Sequence, residues 1–104
     1  MTVVIKNLRE CQPVQEFDFR VDRKSPLGNP FTTGKYSRDI VCDMYEEHFH
    51  SVMLKDSEVQ RYLDRIIEAH RVYSGVSLFC WCVPLRCHAE TIKRYLEEYI
   101  TKNP

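Results

Sequence analysis

Three cysteines and a histidine crowd into nine residues near the end of this chain: Cys80, Cys82, Cys87 and His88, in the segment FCWCVPLRCH. Thiols and an imidazole at that density suit three kinds of chemistry. As thiolates they are nucleophiles, as a Cys3His set they are tetrahedral zinc ligands, and at a helix start they frame an anion pocket. Nucleophilic or acid–base use falls on Cys87 with His88. Zinc would take Cys80, Cys82, Cys87 and His88, although the C-x-C-x4-C-H spacing lacks the usual CxxC knuckle and adjacent Cys87 and His88 aim poorly at one ion.

A second segment able to hold a polar ligand is SPLGNPFTTGK, which follows Arg23. Gly28 can take backbone angles closed to other residues, and Asn29 is pushed toward an extended backbone by Pro30. The Asn29 amide, the Thr32 and Thr33 hydroxyls and the local N–H groups could grip a ligand, or simply make an ordinary turn. The spacing is not that of a Walker loop.

The elements that must position these groups are legible in the periodicities. Val76 to Cys82, VSLFCWC, reads as a buried strand with Cys80 and Cys82 on one face, their Cα atoms about 7 Å apart, and Trp81 on the other as a core residue. Pro84 ends that strand, and Ala89, Ile92, Leu96 and Ile100 recur at helical intervals after Cys87. With Cys87 near the N-cap, Glu90 falls at the third helical position and the unpaired N–H groups of the first turn face the sulfur or a ligand. That field favours thiolate at Cys87, helped by Arg86 and protonated His88 and opposed by Glu90. Arg86 or Arg23 could add a charge-assisted hydrogen bond to a phosphate or carboxylate.

Upstream, Thr2 to Ile5 is β-prone, and in FDFRV the apolar Phe17, Phe19 and Val21 alternate with Asp18, Arg20 and Asp22, the pattern of a half-buried strand. A helix from Ser37 carries Ile40, Val41, Met44, Tyr45, Phe49, Val52 and Met53 at intervals of three to four residues. A second, capped by Ser57 with Gln60 at its third position, carries Val59, Leu63 and Ile66. His48, His50 and His70 have no metal-site spacing and read as surface or packing residues, and Cys11 and Cys42 as structural thiols.

A chain of 104 residues with 43% apolar and 29% charged residues suits one domain over 1–104. Its formal net charge is zero, but residues 1 to 38 hold seven Lys/Arg against four Asp/Glu, a local excess beside the glycine-proline segment that would draw an anion. Balanced charge and the lack of a Lys/Arg-aromatic stripe argue against a nucleic-acid module. No apolar run nears the roughly 20 residues needed to span a membrane, and the first ten residues lack a signal-peptide pattern. The expected location is the cytoplasm, where five cysteines, an odd number, stay reduced.

GNPF at 28–31 and CWCxPxxCH at 80–88, in that order and separated by helices, resemble the motifs of the domain of unknown function 4326 family of bacteria and phages. Its members carry (K/R)WGNPF after a strand ending in Arg, then C-W-C-x-P-x-x-C-H-G-(D/E). The resemblance covers roughly residues 17 to 100, with Arg23, Gly28, Asn29, Cys80, Cys82, Cys87, His88 and Glu90 matching individually. Leu27 stands in place of Trp and Ala89 in place of Gly. A looser similarity links the C-x4-C-H junction to another α/β family with CxExxPxxCHR.

The expected fold is therefore a small single α/β domain with a short, mostly parallel central sheet flanked by about three helices. Such sheets bind ligands at their strand ends. The expected ligand is a small nucleotide- or nucleoside-like anion, positioned by Gly28, Asn29 and Thr32 and held by Arg23, Arg86 and the helix start, with Cys87 or His88 available for transfer or hydrolysis. Whether the protein is an enzyme stays open. Two other readings are a phage-encoded accessory protein that binds a host protein through an outer helical face, and a structural zinc domain.

Overall fold

The computed structural model describes residues 2–31, 34–82 and 85–103. Three strands, β1 (Thr2–Asn7), β2 (Asp18–Arg20) and β3 (Gly75–Cys80), form one sheet, with helices α1 (Arg38–Ser51), α2 (Ser57–Tyr73) and α3 (Ala89–Lys102) and a single 3₁₀ turn, Met53–Lys55, between α1 and α2. The sheet order is β1-β3-β2, and β3 pairs in parallel with both neighbours, Thr2 opposite Gly75 and Asp18 opposite Ser77 at the starts. This is the expected small α/β domain with a parallel sheet and three helices. A parallel partner cannot be reached by a tight hairpin, so α1 and α2 fill the crossover from β2 to β3.

As the middle strand, β3 is covered on both faces, which explains its unbroken apolar run: Val76, Ser77, Leu78, Phe79 and Cys80 are all buried. Val76, Leu78 and Cys80 join the main core with Tyr45 and Phe49 of α1, Leu63 and Ile66 of α2, and Ile92 and Leu96 of α3. Phe79 points the other way and has the Lys6 ammonium 5.9 Å from its ring centroid. The β3 strand is shorter than the sequence reading had it. Pairing stops at Cys80, so Trp81 and Cys82 stand beyond the sheet edge.

Local caps set the helix starts. Ser37 accepts from the Ile40 N–H at 3.3 Å. At α2 the cap falls one residue before the expected Ser57: Asp56 Oδ1 accepts from both Glu58 N–H (2.8 Å) and Val59 N–H (3.2 Å), a stronger acceptor than a hydroxyl.

The loop after β2 is tied to α1 by the buried Tyr45, whose hydroxyl donates to the Leu27 carbonyl at 2.7 Å. Burial also pushes the Tyr45 phenol far above its usual range, so this oxygen keeps its proton to donate. Tyr45→Phe should cost about 1–2 kcal/mol, because the Leu27 carbonyl is left buried without its donor. A urea midpoint unchanged from the parent protein would show that this tether carries no weight.

Candidate functional site

A cavity of about 420 Å³ opens where the ends of β2 and β3, the 21–31 loop, the first turns of α1 and the β3–α3 junction meet. Asn29 and Phe31 line it from the loop, and Cys82, Cys87 and His88 from the junction. The two motifs, about fifty residues apart in sequence, therefore share one space. Thr32, expected as a ligand contact, lies outside the described residues, as do Thr33 and Pro84.

The loop holds its shape through its own polar groups. Asn29 Oδ1 accepts from the Phe31 N–H at 2.9 Å, and Arg23 donates to the carbonyls of Asn29 (3.0 Å) and Phe31 (3.1 Å). Arg23 thus clamps the GNPF turn while its guanidinium borders the cavity. Gly28 is required for close approach: a Cβ there would lie 2.5 Å from the Arg23 Cα and 2.7 Å from the Asp22 carbonyl oxygen.

Cys82 and Cys87 border the cavity, and Cys80 is fully buried. Cys82, only partly buried, has its sulfur in hydrogen-bond contact with those of Cys80 and Cys87 and with Arg38. Hydrogen bonds from Cys80 and Cys87, then from Arg38, hold it well below the usual thiol range against the opposing effect of burial. Cys87 moves in the opposite direction. Its hydrogen bonds to Cys80 and Cys82, reinforced by burial, push it up, and only the Ala89 N–H pulls the other way. Cys87, 3% exposed, is thus shifted in the direction opposite to the one expected from its place at the helix start.

His88 explains where the Cys87 proton can go. Its Nε2 faces the Val21 carbonyl, which only accepts, so Nε2 carries the hydrogen and Nδ1 of the neutral ring is an acceptor. Cys87 Sγ lies 3.4 Å from that Nδ1. Burial lowers His88 below the ordinary histidine range, and the ring stands edge-on to Tyr45 at 4.9 Å. An imidazolium that stabilises a Cys87 thiolate is therefore disfavoured.

Glu90 and Arg86 are engaged differently from the sequence expectation of ligand contacts. Glu90 Oε2 accepts from the Cys87 N–H at 3.1 Å, half of a capping box around a residue whose sulfur faces the Ala89 N–H. His88 already has helical angles, φ −57° and ψ −23°, so the capping position is Cys87, as its spacing from Glu90 implied. Arg86 binds Asp43 Oδ1 (2.8 Å) and Asp39 Oδ1 (3.1 Å), and its charge is largely answered by those two carboxylates.

Four cavity residues carry more of the site than sequence reasoning assigned them. Trp81 is 47% exposed, not core, and its indole N–H donates to Asp22 Oδ2 at 3.0 Å. Asp22 is buried. Burial disfavours its charge, but hydrogen bonds from Arg20 and Trp81 prevail and hold the carboxyl below its usual range. The same-face spacing of Arg20 and Asp22 was a usable signal for this pair. Arg38 and Lys24 complete the cationic lining. Nothing local marks Arg38, because it reaches Cys82 from the start of a helix 44 positions away.

Among the described residues, no three Cys, His, Asp or Glu side chains are arranged to hold a metal ion. Nor, among them, is any helix long and apolar enough to cross a membrane. A family model described as "Domain of unknown function (DUF4326)" matches residues 4–98. No curated protein and no solved structure gives a significant match.

Proposed function

We propose, on the premise that this chain belongs to the DUF4326 family, that its cavity binds a small anion bearing an aromatic ring, of the nucleotide or nucleoside-phosphate class. One observation carries the reading: a half-exposed tryptophan and the cations Arg23, Lys24 and Arg38 border a single cavity of about 420 Å³. That volume lies within the range of small-molecule sites. Trp81 offers a ring face whose orientation Asp22 fixes, and Arg38 offers a planar donor fork for a phosphate. Phosphate binding at parallel strand ends fits the general habit of α/β sheets. Cys82 is the nucleophile available to such a ligand, and Cys87 with His88 holds the proton behind it.

Trp81 is the chain's one tryptophan, so its fluorescence reports on the cavity directly. Titration with AMP should quench it saturably, while adenosine and ribose 5-phosphate, each lacking one recognition element, should bind more weakly. Arg38→Ala should weaken AMP binding about tenfold or more, since a charge-assisted hydrogen bond contributes roughly 1.5–3 kcal/mol. Unaltered fluorescence and a flat calorimetric trace at millimolar AMP would sink the reading.

A further inference from the structure

We propose that Arg20 and Asp22 are positioning residues for Trp81, and that the subsite they build takes a purine ring by its flat face without reading its edge. The inference rests on the reading of the cavity as a site for an aromatic anion, and it adds what holds the ring subsite in shape and which rings that subsite accepts.

Strand register brings the three residues together. Arg20 is paired with Phe79, and the Val21 N–H donates to the Phe79 carbonyl at 2.9 Å, so the same register carried on by two residues sets Asp22 opposite Trp81. There the side chains meet. Arg20 Nε donates to Asp22 Oδ1 at 3.1 Å, Arg20 Nη2 donates to Asp22 Oδ2, and the Trp81 indole N–H donates to that same Oδ2 at 3.0 Å. The Arg20 carbonyl accepts from the Tyr62 hydroxyl at 2.6 Å, which ties the end of β2 to α2. Arg20 does not border the cavity, so it acts on a ligand only through Asp22 and Trp81.

Trp81 stands past the last paired residue of β3 and is 47% exposed, so the sheet ladder does not fix its ring. The carboxylate does. A ring already held in its bound orientation spares a ligand the cost of immobilising it. Asp22 is 6% exposed, and a carboxylate that buried needs its Arg20 partner to stay charged.

The same bonds use up the carboxylate. An ionised carboxyl group has about four acceptor positions. Those of Asp22 are met by two N–H groups of Arg20, the indole N–H and the Lys24 backbone N–H. None is left for the amino group of a base. Stacking on an aromatic face tolerates any base, because every base has a π-face. The subsite therefore takes AMP and IMP alike, although adenine carries an amino donor where hypoxanthine carries a carbonyl.

The test begins without ligand, on the full-length protein, with time-resolved fluorescence anisotropy of Trp81, its one tryptophan. In the parent the indole should follow overall tumbling. Arg20→Met should add a fast component, and Arg20→Lys, which keeps the charge but loses the planar fork, should fall between the two. Calorimetry with AMP, IMP and ribose 5-phosphate then reads the subsite. AMP and IMP should bind within about threefold of each other, and both about tenfold or more tighter than ribose 5-phosphate. Arg20→Met should weaken AMP binding about two- to tenfold and leave ribose 5-phosphate unchanged. A fast component already present in the parent, equal losses for AMP and ribose 5-phosphate, or an AMP-to-IMP ratio above about tenfold would each overturn the proposal while leaving the cavity a nucleotide site. If no nucleotide binds the parent, the cavity reading falls and the ring selectivity falls with it. Should Arg20→Met fail to fold, Arg20→Lys and the measurements on the parent still decide.

Discussion

Gly28→Ala is expected to destabilise the protein by about 3 kcal/mol, the upper range for forcing volume into a well-packed site. The added methyl would meet the Arg23 Cα at 2.5 Å, the Asp22 carbonyl oxygen at 2.7 Å and the Arg23 amide nitrogen at 3.0 Å. All three are backbone atoms, so no flexible side chain can swing aside. The turn itself must open, although it is closed by hydrogen bonds from Gly28 N–H to the Ser25 carbonyl and from Ser25 N–H to the Asp22 carbonyl. That displacement would move Asp22 away from Trp81 and Asn29 away from the cavity wall. A urea titration followed by circular dichroism measures the loss, which is a large share of the about 5–15 kcal/mol typical of a small domain. An unshifted midpoint would mean that the two segments are not in this close approach. A variant that folds normally at low temperature but no longer quenches with AMP would connect the turn to the site.

His88→Phe should cost about 2 kcal/mol at pH 7, because the Val21 carbonyl loses the buried donor it depends on while ring packing against Tyr45 is largely kept. The same residue should give the parent protein a pH dependence of definite sign. Burial depresses His88 in the folded state, whereas the unfolded chain titrates near the ordinary value of about 6.5. Above that pH both states are neutral and the full contribution to stability is present. As pH falls below it, the unfolded chain takes up a proton that the folded chain refuses, and stability is lost until the lower folded value is passed. His70 acts in the same direction, since it too is buried and depressed, with a buried Nε2 that lacks a hydrogen-bond partner. The urea midpoint should therefore fall between pH 7 and pH 5, and His88→Phe should flatten that slope while leaving the part due to His70. Identical slopes in the two proteins would show that His88 titrates alike in both states.

These two residues illustrate how unevenly the site can be read in advance. Gly28 and His88 stand in motifs that are obvious by composition, yet their roles are different in kind. Gly28 serves the approach of two backbone segments, and His88 serves as a hydrogen-bonded core residue whose second nitrogen faces a thiol. Arg86 and Glu90 were identifiable as polar residues at a helix start, but their partners, Asp39 with Asp43 and the Cys87 amide, were not all visible from neighbouring positions. Glu90 was the easier case because a capping box spans only three residues. Asp39 and Asp43 reach Arg86 from another helix.

What the sequence by itself determined is what periodicity and local chemistry carry: the buried central strand, the three amphipathic helices, the caps to within a residue, and the turn forced by Gly28 and Pro30. Those features depend on interactions between residues a few positions apart, so they are written along the chain. Only the tertiary structure decided how the thiols are shifted, Cys82 down and Cys87 up. That choice depends on the end of β3 pairing at Cys80, which frees Cys82 toward the cavity, and on Arg38 arriving from α1. It also put Trp81 at the cavity edge, because its indole N–H found a carboxylate 59 positions earlier. A charge buried or half-buried is stabilised by whatever is nearest in space, and for these residues the nearest groups are distant in sequence.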